Sequence, residues 1–369
     1  MPLATTGAPW DGHVVTIRYG IIGTGMMGVE HIHNIRALPE ATVTAIADPH
    51  QPSLDTGAAA CDGPVAQFHD FRSLLHSGLC DAVVVATPNM THLDVLTEVL
   101  ATDLAVLIEK PLSITVDECR QLVSLGQDRR ALTWVGLEYR YIPSIAILID
   151  HVRTGMVGDV QMVAIREHRF PFLPKVGDWN RSTANTGGTL VEKCCHFFDL
   201  MVLLTGSPPV RVYATGSQAV NRIEPGELGP AGDMLDNAFV LVDHESGARS
   251  MLDLCMFAEA SLNQEELSVV GTEGKVEALV PEHVLRIGRR GREQLGAVHV
   301  HEVGVDRSIP HHGYHYGSSY VEHQRFLEAH RTGNPPEVSL TDGLMSVAIG
   351  QAAHLSITEG RPIAMEEVL

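Results

Sequence analysis

Apolar residues in the first 140 positions form short continuous runs separated by stretches with helical spacing. Runs such as 17–22, 81–88 and 104–111 are typical of parallel strands, which are buried on both faces. Between these runs, apolar residues recur every three or four positions, which predicts helices. The run at 132–140 is expected to form the sixth strand. The alternation predicts an α/β fold with a doubly wound parallel sheet, a Rossmann domain.

After residue 155 the pattern changes to strand-like runs separated by turn residues. These runs lie at 160–170, 211–220, 237–244, 249–257, 265–279 and 284–289. A chain of 369 residues is long enough for two domains that bury separate cores. We therefore divide it into an N-terminal extension (1–16), a Rossmann domain (17–140) and a second domain (141–369).

Composition and charge exclude several classes of partner. The chain holds 45 acidic and 26 basic residues, a formal net charge of −19. Such a field repels nucleic acid and anionic membrane surfaces, so neither is an expected partner. The sequence has no apolar run of about 20 residues that predicts a membrane span, and its N-terminus lacks the pattern of a secretory signal. Six cysteines without CxxC spacing indicate reduced thiols and a cytoplasmic protein.

A glycine-rich turn, Gly23-x-Gly25-x-x-Gly28, joins the first strand to the first helix. In such a motif the glycines permit a tight turn, close approach of a pyrophosphate and packing of the helix on the strand. The second strand ends at Asp48, whose carboxylate suits the adenosine ribose hydroxyls and repels a 2′-phosphate. No arginine follows at once, so the motif predicts NAD rather than NADP. The alternative is a glycine-rich turn of another α/β protein.

Further motifs make the sequence similar to the Gfo/Idh/MocA family, named after glucose–fructose oxidoreductase, inositol dehydrogenase and a rhizopine-catabolism protein. The segments that carry the resemblance are ATPNMTH (86–92), IEKPL (108–112), YRYIPS (139–144), GGTLVEKCCHFFD (187–199), YVEHQRFLEA (320–329) and TDGLMSVAIGQAAHLS (341–356). The resemblance implies a second domain with a large, mostly antiparallel open sheet and helices on one face. It also implies a homodimer or homotetramer formed through the free face of that sheet.

The resemblance and the glycine motif together suggest a set of cofactor-binding residues. They are Gly23, Thr24, Gly25, Met26, Met27, Gly28, Asp48, Thr87, Pro88, Asn89, His92, Glu109 and Lys110. Several of these residues follow the ends of parallel strands, where an open α/β sheet binds its ligands.

Oxidation of a hydroxyl by hydride transfer needs a base and a cation that stabilises the developing alkoxide. Lys110 lies at the end of a parallel strand and is the expected cation and partner in proton transfer. His196 is the expected base, because histidine titrates near neutrality without tuning. The rate is then expected to rise with pH through an apparent pKa of about 6 to 8.

The segment 187–199 resembles the family pattern Gly-Gly-x-x-x-Asp-x-Gly-x-His-x-x-Asp, with Glu192 in place of the first aspartate and Cys194 in place of the last glycine. Helical spacing predicts that Glu192 and His196 share one face of a single helix. Glu192 is therefore the third expected catalytic residue, either orienting His196 or binding a substrate hydroxyl. The alternatives are a structural histidine, a zinc site that lacks a third ligand, and a redox pair formed by Cys194 and Cys195. We expect no metal.

Two loops are candidates for the substrate side, 170–182 and 308–320. The second loop carries several histidines, for which a metal cluster and a solvated loop are the alternatives. The expected substrate-binding residues are Lys110, Arg140, Trp179, Asn180, Glu192, His196, His315 and Tyr316.

The sequence thus predicts an NAD-dependent dehydrogenase that oxidises a ring hydroxyl of a sugar, cyclitol or glycoside to a ketone. One alternative is a redox-assisted glycosidase, in which NAD transiently oxidises a hydroxyl to permit elimination. The other is an NAD-bound sensor without turnover.

Overall fold

The computed structural model describes residues 16–221 and 232–369, so the expected extension, apart from its last residue, lies outside the described residues. The first sheet has six parallel strands in the order β3-β2-β1-β4-β5-β6. The strands are β1 Ile17–Ile22, β2 Ala41–Ala47, β3 Ala66–Phe68, β4 Ala82–Val85, β5 Ala105–Glu109 and β6 Thr133–Gly136. The predicted doubly wound sheet is confirmed. The hydrophobic pattern did not reveal β3, which has only three residues, none of them fully buried.

Helices connect these strands on both sides of the sheet. They are α1 Met26–Arg36, α2 Gln51–Ala60, α3 Phe71–Leu75, α4 His92–Leu100 and α5 Val116–Gly126. Because β1 lies between β2 and β4, the strand order reverses beside β1. The carboxyl ends of β1 and β4 therefore flank the crevice in which such sheets bind ligands.

The second sheet has nine strands in the order β14-β13-β12-β11-β7-β10-β9-β8-β15. The strands are β7 Val160–His168, β8 Pro209–Ser217, β9 Asn237–His244, β10 Arg249–Cys255, β11 Glu265–Gly271, β12 Gly274–Val280, β13 Val284–Arg289, β14 His299–Glu302 and β15 Ile363–Ala364. Only the β7–β10 pair is parallel among the described pairings. The expected large, mostly antiparallel sheet is confirmed.

Six helices accompany this sheet in the described chain. They are α6 Pro143–Arg153, α7 Thr183–Thr186, α8 Thr189–Glu192, α9 Cys195–Thr205, α10 Ser318–Thr332 and α11 Leu340–Glu359. Three of them, α6, α9 and α11, pack on β12, β7 and β8. Along β9 and β10 alternate residues are buried, as expected for a sheet that has helices on one face.

Two C-terminal helices hold the two sheets together. Helix α10 packs on α1 and on a 3₁₀ turn, Glu138–Tyr141, that follows β6, and α11 packs on α5 and β6. Buried polar contacts cross the same joint: the indole of Trp134 donates to Glu322 (3.3 Å), and His31 and His323 are hydrogen-bonded through ring nitrogens 2.9 Å apart. The carboxyl end of the first sheet is thereby fixed against the second domain.

Candidate active site

The glycine turn before α1 has the shape that a pyrophosphate requires. A Cβ added to Gly28 would lie 2.0 Å from the carbonyl oxygen of Gly23, and one added to Gly23 would lie 2.6 Å from that of Ala86. A Cβ on Gly25 would meet nothing within 4 Å. Gly23 and Gly28 therefore permit close packing, while Gly25 faces open space at the start of a helix, where backbone N–H groups attract phosphate.

Asp48, directly after β2, is held by the same turn. Its Oδ2 accepts hydrogen bonds from the backbone N–H (2.8 Å) and the hydroxyl (3.3 Å) of Thr24, and its Oδ1 accepts one from the N–H of His50 (2.8 Å). The carboxylate is partly exposed, so it has room to accept hydrogen bonds from ribose hydroxyls. Together with the space beside Gly25, these contacts fit the adenosine half of NAD.

Two of the predicted cofactor residues after β4, His92 and Asn89, are bound to other parts of the protein. The buried ring of His92 faces the carbonyls of Pro111 (2.9 Å) and Thr87 (3.2 Å), so it ties together the loops that follow β4 and β5. Asn89 is also buried and donates a hydrogen bond to Oε2 of Glu192. Direct contact of these side chains with a cofactor stays a prediction.

Glu109 and Lys110, at the end of β5, point to different neighbours. Oε1 of Glu109 binds Nε2 of His31 (2.8 Å), and its Oε2 accepts from the backbone N–H of Lys110 (3.1 Å). Burial alone would raise the pKa of Glu109, but His31 and the nearby Lys110 lower it to about 2. Glu109 is thus an anion that fixes the backbone of Lys110.

The ammonium group of Lys110 reaches the segment 187–199. Nζ donates to the backbone carbonyl of Glu192 (3.0 Å) and lies 3.7 Å from Oε1 of the same residue. Burial opposes the charge of Lys110, but the carboxylates of Glu192 and Glu109 outweigh it and raise the pKa. Lys110 is therefore a persistent cation, as a group that stabilises an alkoxide must be.

The prediction of a single helix through Glu192 and His196 was wrong. Helix α8 ends at Glu192, and α9 begins at Cys195. The carbonyl of Glu192 accepts from Nζ of Lys110 and from Sγ of Cys195 (3.6 Å), which satisfies a carbonyl at the end of a helix. Both cysteines, Cys194 and Cys195, are buried free thiols.

The carboxylate of Glu192 is shared by groups from both domains. Its Oε1 lies 3.7 Å from Nζ of Lys110 and 3.7 Å from Nζ of Lys175, and Asn89 donates to Oε2. Lys175 also lies over the ring of Trp179, 4.6 Å from its centroid. Burial would raise the pKa of Glu192, but the two lysines and Asn89 lower it. Glu192, Lys110, Lys175 and Trp179 therefore form one polar cluster.

His196 lies beside a different carboxyl group. Its ring stacks on Tyr139, with centroids 4.0 Å apart and planes at 12°, and its Nδ1 is 3.8 Å from Oε2 of Glu138. The carboxyl group that faces His196 is thus that of Glu138, which corrects the expectation that Glu192 orients the ring. Burial, followed by Lys110 and Lys193, lowers the pKa of His196 well below its usual value of 6.5. The direction of this shift argues against the expectation that titration of His196 makes the rate rise with pH near neutrality.

The histidine loop before α10 does not form a cluster. Nδ1 of His315 lies 3.2 Å from Oε1 of Glu138, whereas His311 binds Glu30 and His312 faces the carbonyl of Asp306. Burial, with help from Lys193, lowers the pKa of His315 to about 3. In the described residues, no group of three His, Cys, Asp or Glu side chains is arranged to hold a metal ion.

Three expected substrate residues lie apart from these groups. Arg140 is bound to Asp199 (Nε to Oδ2, 2.7 Å) and to the carbonyl of Glu337 (2.7 Å), so it joins the domains. Asn180 is buried and donates to the carbonyl of Leu173 (3.0 Å). Tyr316 packs edge-on against His283, with ring centroids 5.1 Å apart. A direct role in substrate binding stays a prediction for all three.

Sequence reasoning missed Glu138 altogether. It follows the carboxyl end of β6, the position from which parallel strands supply functional side chains. That position was the available signal. Lys193, in the same region, forms a salt bridge: its Nζ is 3.0 Å from Glu167 and donates to the hydroxyl of Tyr139 (2.6 Å).

The fold and the site together define an NAD-binding oxidoreductase with two domains. Residues 17–137 match the NAD-binding Rossmann fold of the oxidoreductase family GFO_IDH_MocA, and residues 149–365 match the C-terminal alpha/beta domain of that family. The chain belongs to the Gfo/Idh/MocA family, and its cofactor is NAD, as predicted.

Named relatives agree with this assignment. The chain is 27% identical to myo-inositol 2-dehydrogenase of Thermotoga maritima over 96% of this chain and 100% of that protein. It is also 27% identical to inositol 2-dehydrogenase of Rhizobium meliloti, over 95% of this chain and 100% of that protein. Levoglucosan dehydrogenase in complex with NADH has the same fold, with a TM-score of 0.83 at 20% identity over 95% of this chain and 99% of that one.

Proposed function

We propose that the protein oxidises a ring hydroxyl of a cyclitol or sugar to a ketone, with Lys110 and His196 as its catalytic residues. The observation that carries this proposal is the contact of Lys110 with the segment that bears His196: its Nζ donates to the carbonyl of Glu192 (3.0 Å), four residues before His196. Lys110 stays charged because carboxylates surround it, and His196 stays uncharged because it is buried among cations. Alcohol oxidation needs this combination of a cation and a proton acceptor.

NAD, when bound, supplies the acceptor for the hydride. The protein's own part is to hold the hydroxyl and remove its proton. Lys110 donates a hydrogen bond to the hydroxyl oxygen and stabilises the negative charge that develops there. His196 takes the proton through Nε2, because its Nδ1 faces Glu138. Glu192 bridges Lys110 and Lys175, and we expect it to accept hydrogen bonds from a neighbouring hydroxyl.

The proposed substrates are neutral polyols with several hydroxyls on one ring. The cluster of Glu192, Lys175 and Trp179 offers an acceptor, a donor and an aromatic face within one patch, the mixture that sugars and cyclitols use. The relatives' names point the same way: two are inositol dehydrogenases, and one structural neighbour is a levoglucosan dehydrogenase.

A substrate panel with NADH absorbance as the readout tests this function. It includes myo-inositol, free sugars, levoglucosan and aryl glycosides. Net NADH formation with at least one polyol supports the dehydrogenase. Release of sugar from a glycoside without net NADH would identify a redox-assisted glycosidase instead. Tight NAD binding without turnover of any compound would identify a sensor.

His196→Asn tests the proposed base with any compound that is turned over. Loss of a general base lowers a rate by about 100-fold or more, and the variant keeps a polar side chain of similar reach. Retention of the wild-type rate would remove His196 from the chemistry.

We also propose that the protein forms a homo-oligomer through the second sheet. Tyr213, Phe239 and Leu241 are between 43% and 57% exposed on neighbouring strands, and Tyr213 pairs directly with Leu241. Met162 on β7 adds to the same apolar face. Exposed apolar residues that adjoin one another are typical of interfaces between protein chains.

No helix in the described chain is both long and apolar enough to cross a membrane. A cytoplasmic location is part of the proposal, and it is supported by the six cysteines, which are all free thiols.

A further inference from the structure

Two histidines face opposite oxygens of one buried carboxyl group. Oε2 of Glu138 lies 3.8 Å from Nδ1 of His196, and Oε1 lies 3.2 Å from Nδ1 of His315. Both Nδ1 atoms are buried, and neither makes a hydrogen bond in the structure. Glu138 itself is 3% exposed. Buried polar atoms are normally paired, so the convergence of two unpaired nitrogens on one carboxyl group indicates a function.

While the substrate is bound, the proton that His196 removes from it has no direct route to water. His196 is 2% exposed, and its ring is covered on one face by Tyr139. The surrounding cations also disfavour a second proton on the ring. The side chain of His315, in contrast, is 23% exposed, so it reaches the surface. Glu138 is the group that lies between the two rings.

We propose that Glu138 and His315 carry the substrate proton from His196 to solvent. The proposal rests on the proposed role of His196 as the base. His196 takes a proton at Nε2 and releases the proton of Nδ1 to the carboxylate of Glu138. The carboxyl group rotates and gives this proton to Nδ1 of His315, which releases the proton of Nε2 to water. One proton enters and one leaves, and each ring ends as its other neutral tautomer. Once the product has left, water in the emptied substrate site takes the proton from Nε2 of His196, and a proton returns to Nδ1 through His315 and Glu138, which restores both rings.

The pKa of Glu138 lies in a range that lets its carboxyl group both accept and release a proton. Burial, with the nearby charge of Glu109, raises the pKa of Glu138 to about 8, while Lys110 and Lys193 oppose this rise. The titratable groups that surround the carboxyl group are Glu109, Lys110, Lys193, His196, His315 and Glu322. Because the carboxylate form accepts the proton, the oxidation rate is expected to rise with pH through an apparent pKa near 8. Neutralisation of His196 is complete at lower pH and does not produce this rise.

Glu138→Gln tests the path, since glutamine keeps the shape and cannot take a proton. With NAD and myo-inositol, kcat is expected to fall by about tenfold or more, and its rise near pH 8 is expected to disappear. Binding of NAD is expected to stay unchanged. The matched control is Glu322→Gln, another buried carboxyl group, which accepts from Trp134 and whose pKa burial also raises. It is expected to keep the wild-type pH profile, and Glu138→Asp is expected to restore part of the rise.

His315→Gln tests the outer half of the path. The variant is expected to lose rate several-fold in dilute buffer and to regain it when imidazole is added, because a small buffer can take the proton instead. Wild-type enzyme is expected to show no such rescue. A His315→Gln enzyme that is as fast as wild type in dilute buffer would remove His315 from the path.

Infrared titration of the NAD-loaded protein needs no substrate and therefore decides the proposal whichever polyol is turned over. The wild-type spectrum minus that of Glu138→Gln is expected to show a protonated carboxyl band at pH 6 that disappears with a midpoint of about 8. Absence of that band, or a Glu138→Gln enzyme with the wild-type pH profile, would overturn the path. The role of His196 as base is tested separately by His196→Asn, so the two failures are distinguishable.

Discussion

At the residue scale, the surroundings of Lys110 and His196 set the charge that each side chain carries. Lys110 and His196 lie beside the same short segment, yet their neighbours act on them in opposite ways. Carboxylates hold the proton on Lys110, and burial among cations keeps a second proton off His196. In the proposed mechanism His196 is therefore a neutral proton acceptor, and the pH dependence of the rate is assigned to Glu138 instead.

Lys110→Ala is expected to lower the oxidation rate by about 100-fold or more, because the developing alkoxide loses its cation. NAD binding is expected to persist, since the glycine turn and Asp48 are unchanged. The measurements are steady-state rates and NAD affinity by calorimetry. The control is Lys275→Ala, an exposed lysine paired with Glu277. A Lys110→Ala enzyme with more than about a tenth of the wild-type rate would contradict the role of Lys110.

Asp48 is expected to make kcat/KM at least several-fold higher with NAD than with NADP, since its carboxylate repels a 2′-phosphate. Asp48→Asn keeps an acceptor for the N–H of Thr24 and removes the charge. It is therefore expected to reduce the ratio of kcat/KM with NAD to kcat/KM with NADP. Asp55→Asn, an exposed carboxylate on α2, serves as the control. Equal use of both cofactors by the wild-type enzyme would show that the ribose pocket has been misassigned.

At the scale of elements, the glycines of the turn have different roles. Gly25 is expected to serve NAD binding, and Gly28 is expected to serve packing. Gly25→Ala is expected to weaken NAD binding on the order of tenfold, about 1.4 kcal/mol, without loss of thermal stability, because its Cβ meets no protein atom within 4 Å. Gly28→Ala is expected to lower the stability by about 1–3 kcal/mol, because its Cβ would lie 2.0 Å from a carbonyl oxygen. Thermal melting and NAD titration of both variants check this contrast. Equal effects of the two substitutions on both measurements would contradict it.

The elements that local sequence determines were predictable, and the site contacts that depend on distant residues were not. The glycine turn follows from the order of a strand, three glycines and a helix, all within one short segment. At the break between α8 and α9, the carbonyl of Glu192 accepts a hydrogen bond from Lys110, which lies 82 positions upstream. The helical spacing of the residues around Glu192 does not indicate that contact. The pairing of Glu138 with His196 and His315 likewise arises only when three separate elements meet.

For the whole molecule, the exposed face of the second sheet is expected to control assembly. Phe239→Lys combined with Leu241→Lys places two charges on that face, so a smaller species is expected in sedimentation experiments. Leu262→Lys is the control, because Leu262 is 72% exposed and lies outside the strands. A double variant that sediments like the wild type would show that assembly uses another surface.

The two carboxyl groups around the site lie on separate sets of contacts. Glu192 joins Asn89, Lys110 and Lys175, whereas Glu138 faces His196 and His315. In the proposed mechanism, substrate selectivity and proton release therefore depend on different carboxyl groups. A library built at Lys175 and Trp179 is expected to change which ring is accepted while leaving the pH dependence of turnover in place. The chain is in this respect a favourable starting point for redesign of substrate range.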